Sequence, residues 1–157
     1  MIALLDNTVL SNFSAVERPD LVQTALGETA ATVEEAYAEL QAGIQLGKLP
    51  PCDWSWLPVL RLNESEQALY ERLRERLNAG EAACLAIAAA RKYRVFTDDR
   101  DARAIAAQMQ IPVSGTLGLL VRLVDQEHLT LHEADKLLNR MIAAGYWSPV
   151  ASLSEVR

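Results

Sequence analysis

Four separated stretches of the sequence each offer a carboxylate where a strand ends or a helix begins: Asp6, an acid of the segment Val33–Leu46, Glu81, and the run Asp98-Asp99-Arg100-Asp101. Singly, each is accounted for as a helix cap or first-turn acid, because such side chains satisfy free backbone N–H groups and favour the helix dipole. Gathered in one cleft they would repel one another and require a cation, and an all-oxygen donor set suits Mg2+ or Mn2+ rather than zinc. Such an ion polarises phosphoryl oxygen and lowers the pKa of bound water, so the implied chemistry is metal-assisted hydrolysis of a phosphodiester. Unrelated caps, by contrast, predict no metal binding at all.

To converge, these acids need a frame that delivers them to one edge. Ile2–Leu5 reads as a short buried strand ending at Asp6, with a helix from Thr8 to about Val16 and a second from Pro19 to about Leu26. Thr29–Thr32 reads as a strand, and Val33 to about Leu46 as an amphipathic helix stopped by Gly47 and Pro50-Pro51. Val33, Ala36, Tyr37, Leu40 and Ile44 form the apolar face of that helix. At about 100° per residue Glu35 points nearly opposite this face, whereas Glu34 and Glu39 lie on its flanks, and periodicity does not choose between them.

After a loop at Cys52–Trp56, the pattern predicts a strand over Val59–Leu62 and a helix from Asn63 or Ser65 to about Asn78, then a break at Gly80. Helix Glu81–Tyr93, strand Arg94–Thr97, helix Arg100–Gln110 and strand Pro112–Ser114 follow, and helices Thr116–Glu127 and Leu131–Ala144 complete the chain, the last ended by Gly145. Alternating strand and helix gives the α/β class, a central parallel sheet flanked by helices with further C-terminal helices, whose ligands gather at the carboxyl ends of the strands. The absence of repeats or a linker leaves residues 1–157 as a single expected domain.

At 50% hydrophobic and 23% charged, the chain of 157 residues has enough apolar side chains for a full core and is not a disordered sequence. Its longest apolar run, Ala82–Ala90, is far shorter than the roughly 20 residues of a membrane helix. Met1–Leu5 is cut off by Asp6 with no Lys or Arg before it, which argues against a secretory signal and makes a cytoplasmic location the expectation. Cys52 and Cys84 form neither a disulfide framework nor a metal knuckle and read as packing residues.

Taken in order, Leu4-Leu5-Asp6-Asn7-Thr8-Val9-Leu10, Val33-Glu34-Glu35-Ala36-Tyr37-Ala38-Glu39-Leu40, Gly80-Glu81-Ala82 and Phe96-Thr97-Asp98-Asp99-Arg100-Asp101 resemble the PIN domain, the fold of many prokaryotic endoribonucleases including VapC-type toxins. The tail, with Val113-Ser114-Gly115-Thr116-Leu117-Gly118 and Ala144-Gly145-Tyr146-Trp147-Ser148, resembles one PIN subgroup, so the likeness spans nearly the whole chain. The resemblance implies Asp6, Glu39, Glu81 and Asp99 as the catalytic acids holding one or two Mg2+ or Mn2+ ions, with Asp98 and Asp101 beside them. It implies Thr8 and Thr97 as hydroxyls that order the site; Asn7-Thr8 departs mildly from the commoner Thr-Ser or Ser-Ser. It also implies an RNA substrate, a cognate antitoxin protein and a homodimer.

The formal net charge of -6 does not weigh against an RNA partner if the acids form one site. Setting aside Asp6, Glu39, Glu81, Asp98, Asp99 and Asp101 from the 21 acids leaves 15, equal to the 15 Lys and Arg. Arg100 and Arg103, beside the acidic run, are candidates for holding an RNA backbone. His128 and His132 lack a zincin's Glu, Gly43–Lys48 is too short for a phosphate loop and is followed by Leu49, and no G-x-G-x-x-G follows a strand. Trp54, Trp56 and Trp147 are either core residues or interface anchors. The rival to a nuclease is a catalytically silent PIN-fold binding module, which has no reason to keep mutually repelling carboxylates.

Overall fold

β1 (Ala3–Leu5) is fully buried at the centre of the computed structural model, which describes residues 1–157. It is flanked by β2 (Ala30–Val33) and β4 (Arg94–Phe96), with β3 (Val59–Leu60) and β5 (Val113–Ser114) at the edges, in the order β3-β2-β1-β4-β5. Every pairing is parallel: Leu4 lies opposite Ala31 on one side and Val95 on the other. Strands with both faces covered are apolar throughout rather than alternating, which is why Ala3-Leu4-Leu5 and Ala30-Ala31 carry no polar side chain. Successive side chains still point to opposite faces. Ala3, Leu5, Ala30 and Phe96 enter one core with Phe13, Leu120 and Met141, while Leu4, Ala31 and Val95 enter another with Val33, Leu85 and Ile105.

The connections are helical, as parallel strands require. α1 (Asn7–Ala15), α2 (Pro19–Leu26) and a 3-10 turn lead to β2, α3 (Glu34–Gln45) to β3, α4 (Glu64–Leu73) and α5 (Ala79–Arg91) to β4, and α6 (Arg100–Gln108) to β5. α7 (Thr116–Asp125) and α8 (Leu131–Ala143) follow. The strand order reverses at β1, so the ends of β1 and β4 form the crevice in which ligands of such sheets bind. No helix is long and apolar enough to cross a membrane.

Several expected boundaries move. The second strand starts at Ala30 because Gly27–Thr29 closes a 3-10 turn, with Thr29 Oγ1 donating to the Leu26 carbonyl at 2.6 Å. The third ends at Leu60, since Asn63 already caps α4, and α4 stops at Leu73 rather than Asn78. Gly80 does not break the chain: Asn78 is the cap of α5, accepting from the Glu81 N–H at 2.9 Å, and Gly80 lies inside the first turn. Trp54 is a core residue whose indole N–H donates to Ser14 Oγ at 2.9 Å, whereas Trp147 is 95% exposed. Cys84 is buried and Cys52 half-buried, both as free thiols.

Candidate functional site

Asp6 leaves β1 at the N-cap position of α1, yet its side chain caps nothing. Its Oδ2 accepts from Thr8 Oγ1 at 3.1 Å and from Thr97 Oγ1 at 3.0 Å. Its Oδ1 is enclosed and has no partner. Burial pushes the carboxyl above the usual range, opposed by the Thr97 and Thr8 hydroxyls, which favour the charged form. A buried, unpaired carboxylate oxygen costs free energy unless something positive meets it.

The two threonines tie the ends of the central strands together. Thr97 Oγ1, while donating to Asp6, accepts the Asp99 N–H at 3.2 Å, and Thr8 Oγ1 accepts the Asp98 N–H at 2.9 Å. Because each hydroxyl both donates and accepts, the loop after β4 is set in register with the loop after β1.

Glu39, on α3, faces the same crevice: its Oε1 accepts the Gly80 N–H at 2.7 Å. Burial raises its pKa, the Gly80 bond opposes that, and the charge of Asp6 raises it further. Of the two flanking acids, Glu34 is exposed and paired with Arg61, whereas Glu39 is the one that meets the Gly80 N–H. Glu35 does not point into solvent as its helical angle predicts; it is half-buried with Oε1 enclosed and unpaired, and its charge is felt at Glu39. A helical wheel misses this because it treats α3 as isolated, whereas α5 packs along it.

Glu81 and Asp99 serve as caps. Glu81 completes a capping box with Asn78, its Oε2 accepting the Asn78 backbone N–H at 3.3 Å while its Oε1 accepts from Asn78 Nδ2 at 2.8 Å, and Asp99 Oδ2 accepts from the Ala102 N–H at 2.8 Å. Glu81 is nonetheless pushed up to about 7, by burial first and then by the charges of Asp6, Asp99 and Glu39. Asp98 turns the other way: its Oδ1 accepts the Thr116 N–H at 2.8 Å and its Oδ2 accepts Asn12 Nδ2 at 3.1 Å, pinning α1 to α7. Asp101 is exposed on the first turn of α6. Asn12 escaped the sequence reading, although it lies four residues after Thr8, on the same face of α1.

No three His, Cys, Asp or Glu side chains close around a single point as a preformed cage would. The donor set still fits a hard divalent cation. Asp6 Oδ1 is enclosed and unbonded, Glu39 and Asp99 each spend one oxygen on a backbone N–H and keep the other unbonded, and the mutual repulsion felt by Glu81 is what a cation relieves.

Beside the acids, Arg100 and Arg103 are exposed on the first turn of α6, and Arg103 Nη1 donates to the Thr97 carbonyl at 3.0 Å. With Asp98 they border a cavity of about 740 Å³.

A family model described as PIN domain matches residues 2–157 of the chain. None of the curated proteins matches it. Among solved structures, the crystal structure of PAE2754 from Pyrobaculum aerophilum superposes with a TM-score of 0.56 at 20% identity, over 80% of this chain and 91% of that chain. At that identity the likeness carries the fold alone.

Proposed function

The chain belongs to the PIN domain family, whose members are generally nucleases, and from that premise we propose that it is a divalent-metal-dependent endoribonuclease hydrolysing RNA phosphodiester bonds. Asp6, Glu39, Glu81 and Asp99 would hold one or two Mg2+ or Mn2+ ions. The observation that supports this most is Asp6 Oδ1, an enclosed acid oxygen for which the fold supplies no donor. When bound, a divalent ion polarises a phosphoryl oxygen and makes its water a better nucleophile at neutral pH.

The chain's own groups do the rest. Thr8 and Thr97 fix Asp6 through Oδ2 and so aim Oδ1 into the crevice. The Gly80 N–H fixes Glu39. Arg100 and Arg103 stand where they can hold the phosphates of a strand lying across the crevice, a positioning role without sequence information. Asp98, tied to Thr116 and Asn12, and the exposed Asp101 are outer acids in this assignment.

We extend the proposal, on the family likeness, to the toxin of a toxin–antitoxin pair, active in the cytoplasm as a homodimer and silenced by an antitoxin that covers the acidic crevice. The second reading, a silent PIN-fold module, is favoured by the caps made by Glu81 and Asp99, which a non-cutting protein would also keep. It leaves Asp6 Oδ1 without a purpose. Calorimetric titration of Mg2+ and Mn2+ into wild type, Asp6→Asn and Asp99→Asn, with cleavage of a mixed RNA pool, separates them. Binding and cutting lost together in both variants are expected; binding without cutting of pooled or structured RNA supports the silent module, and no binding overturns the metal site and leaves the acids as caps.

A further inference from the structure

The cavity of about 740 Å³ beside the acids is walled by three pieces of chain: Arg100 and Arg103 from α6, Gly115 and Gly118 at the start of α7, and Tyr146 with Trp147 after α8. It is within the size range of small-ligand sites. Trp147 is 95% exposed, so the largest apolar side chain of the tail contributes nothing to the core and offers a bare aromatic face at the cavity mouth.

The wall is kept open on purpose-built lines. A Cβ at Gly115 would collide with Asp98 Oδ1 and press on Arg103 Nη1 at 3.0 Å, so glycine lets the guanidinium lie in the wall. Arg103 is also bonded to the carbonyl of Thr97, the residue whose hydroxyl holds Asp6. The cavity and the acidic crevice thus share the end of β4, and Asp98, whose oxygens are taken up by Thr116 and Asn12, lines the cavity beside Arg100 and Arg103. An aromatic face beside two guanidinium groups is the combination that binds unpaired nucleotides, stacking for the base and charge for the phosphates. An acidic peptide would use the cations but not the uncovered indole, and an apolar peptide the indole but not the cations.

We propose that this cavity is a nucleobase subsite: one unpaired base of single-stranded RNA enters it and stacks on Trp147, while Arg100 and Arg103 hold the adjoining phosphates. The subsite takes its ligand class from the nuclease reading, and it restricts substrates to RNA in which that base is free of pairing.

The test is a titration of a short dye-labelled single-stranded oligoribonucleotide with the full chain in EDTA, where nothing is cut, with affinity read from the anisotropy of the label in every variant and tryptophan emission followed alongside. Quenching of the exposed tryptophan is expected in wild type and lost in Trp147→Ala, whose affinity falls at least about fivefold. Trp147→Phe keeps an aromatic face and retains most of the affinity, and Arg100→Ala lowers the salt slope by about one. Both side chains are exposed, so circular dichroism and melting should match wild type. Wild-type affinity in Trp147→Ala, or no quenching at all, overturns the subsite and leaves the face to a protein partner. Mn2+-dependent cleavage on the same proteins keeps the two ideas apart. Equal cutting by wild type and Trp147→Ala sinks the subsite alone, whereas oligonucleotide that quenches Trp147 but is never cut, like any other RNA, sinks the nuclease alone.

Discussion

Gly80 donates its backbone N–H to Glu39 Oε1 at 2.7 Å, so the first turn of α5 is docked directly on an acid of α3. A Cβ at position 80 would sit 2.7 Å from that oxygen, 3.1 Å from the Ala36 Cα and 3.2 Å from Asp6 Oδ1. The Ala36 contact is to backbone and cannot give way cheaply, so Gly80→Ala must push α3 and α5 apart or turn Glu39 out of the crevice. We expect a loss of about 1–3 kcal/mol in denaturant melts. Divalent-ion affinity should fall further than stability alone explains, because Asp6 and Glu39 are displaced together. Unchanged Mn2+ binding in a folded Gly80→Ala protein would remove Glu39 from the site.

Asp6→Asn separates charge from shape. The amide oxygen can still accept from Thr8 and Thr97, and the amide nitrogen, which needs no cation, takes the place of the unpaired Oδ1. Without metal, the variant should therefore melt no lower than wild type. Saturating Mg2+ should raise the melting temperature of wild type, by about 2.7 kcal/mol of stability at a hundredfold excess over Kd, and leave the variant unmoved. A variant that is less stable than wild type in EDTA would mean that Asp6 is structural.

The α/β order, the central strand and the position of Asp6 were legible because each rests on local pattern: an apolar run, an acid, a capped helix. Which flanking acid of α3 faces Gly80 was not, since Glu34 and Glu39 flank the apolar stripe equally and the difference lies in α5, a distant part of the chain whose Gly80 N–H meets Glu39. Gly80 was misread as a breaker for a related reason. Its glycine is demanded by α3 passing close by, a tertiary cause with no local signature, while the true cap, Asn78, stands two residues earlier. The cavity was invisible because its walls come from three segments that only the sheet brings together.

Glu81, pushed up to about 7, makes a pH prediction with a definite sign. A carboxyl whose folded pKa is raised above its ordinary value favours the folded state only when protonated, so metal-free stability should fall as pH rises from about 4.5 toward 7 and level off above. The difference between wild type and Glu81→Gln isolates this contribution, of the order of 1 kcal/mol or a few degrees in melting temperature. Divalent ions compete with that proton, so their affinity should climb over the same interval. Wild type and Glu81→Gln with parallel pH profiles would mean that the neighbouring acids do not act on Glu81.

Glu66 and Arg91 provide the control, a charge pair with a buried carboxylate that bonds to none of the crevice acids. Arg91 Nε and Nη2 donate to Glu66 Oε2 and Oε1 at 2.8 and 2.9 Å, joining α5 to the capping box that starts α4. The Glu66 side chain is fully enclosed and the guanidinium beside it lowers its pKa, so the pair stabilises above the ordinary carboxylate range and the contribution is lost as pH falls through the folded value. Glu66→Gln leaves a quarter-exposed guanidinium without its counter-charge and should cost about 2–3 kcal/mol. Measured well below its melting point, the variant should still bind Mn2+ and single-stranded RNA like wild type, because nothing in the crevice touches it. A loss of Mn2+ affinity in folded Glu66→Gln would show that α5 transmits the state of its outer face to Gly80 and Glu81, and that the acids are held less independently than their hydrogen bonds imply.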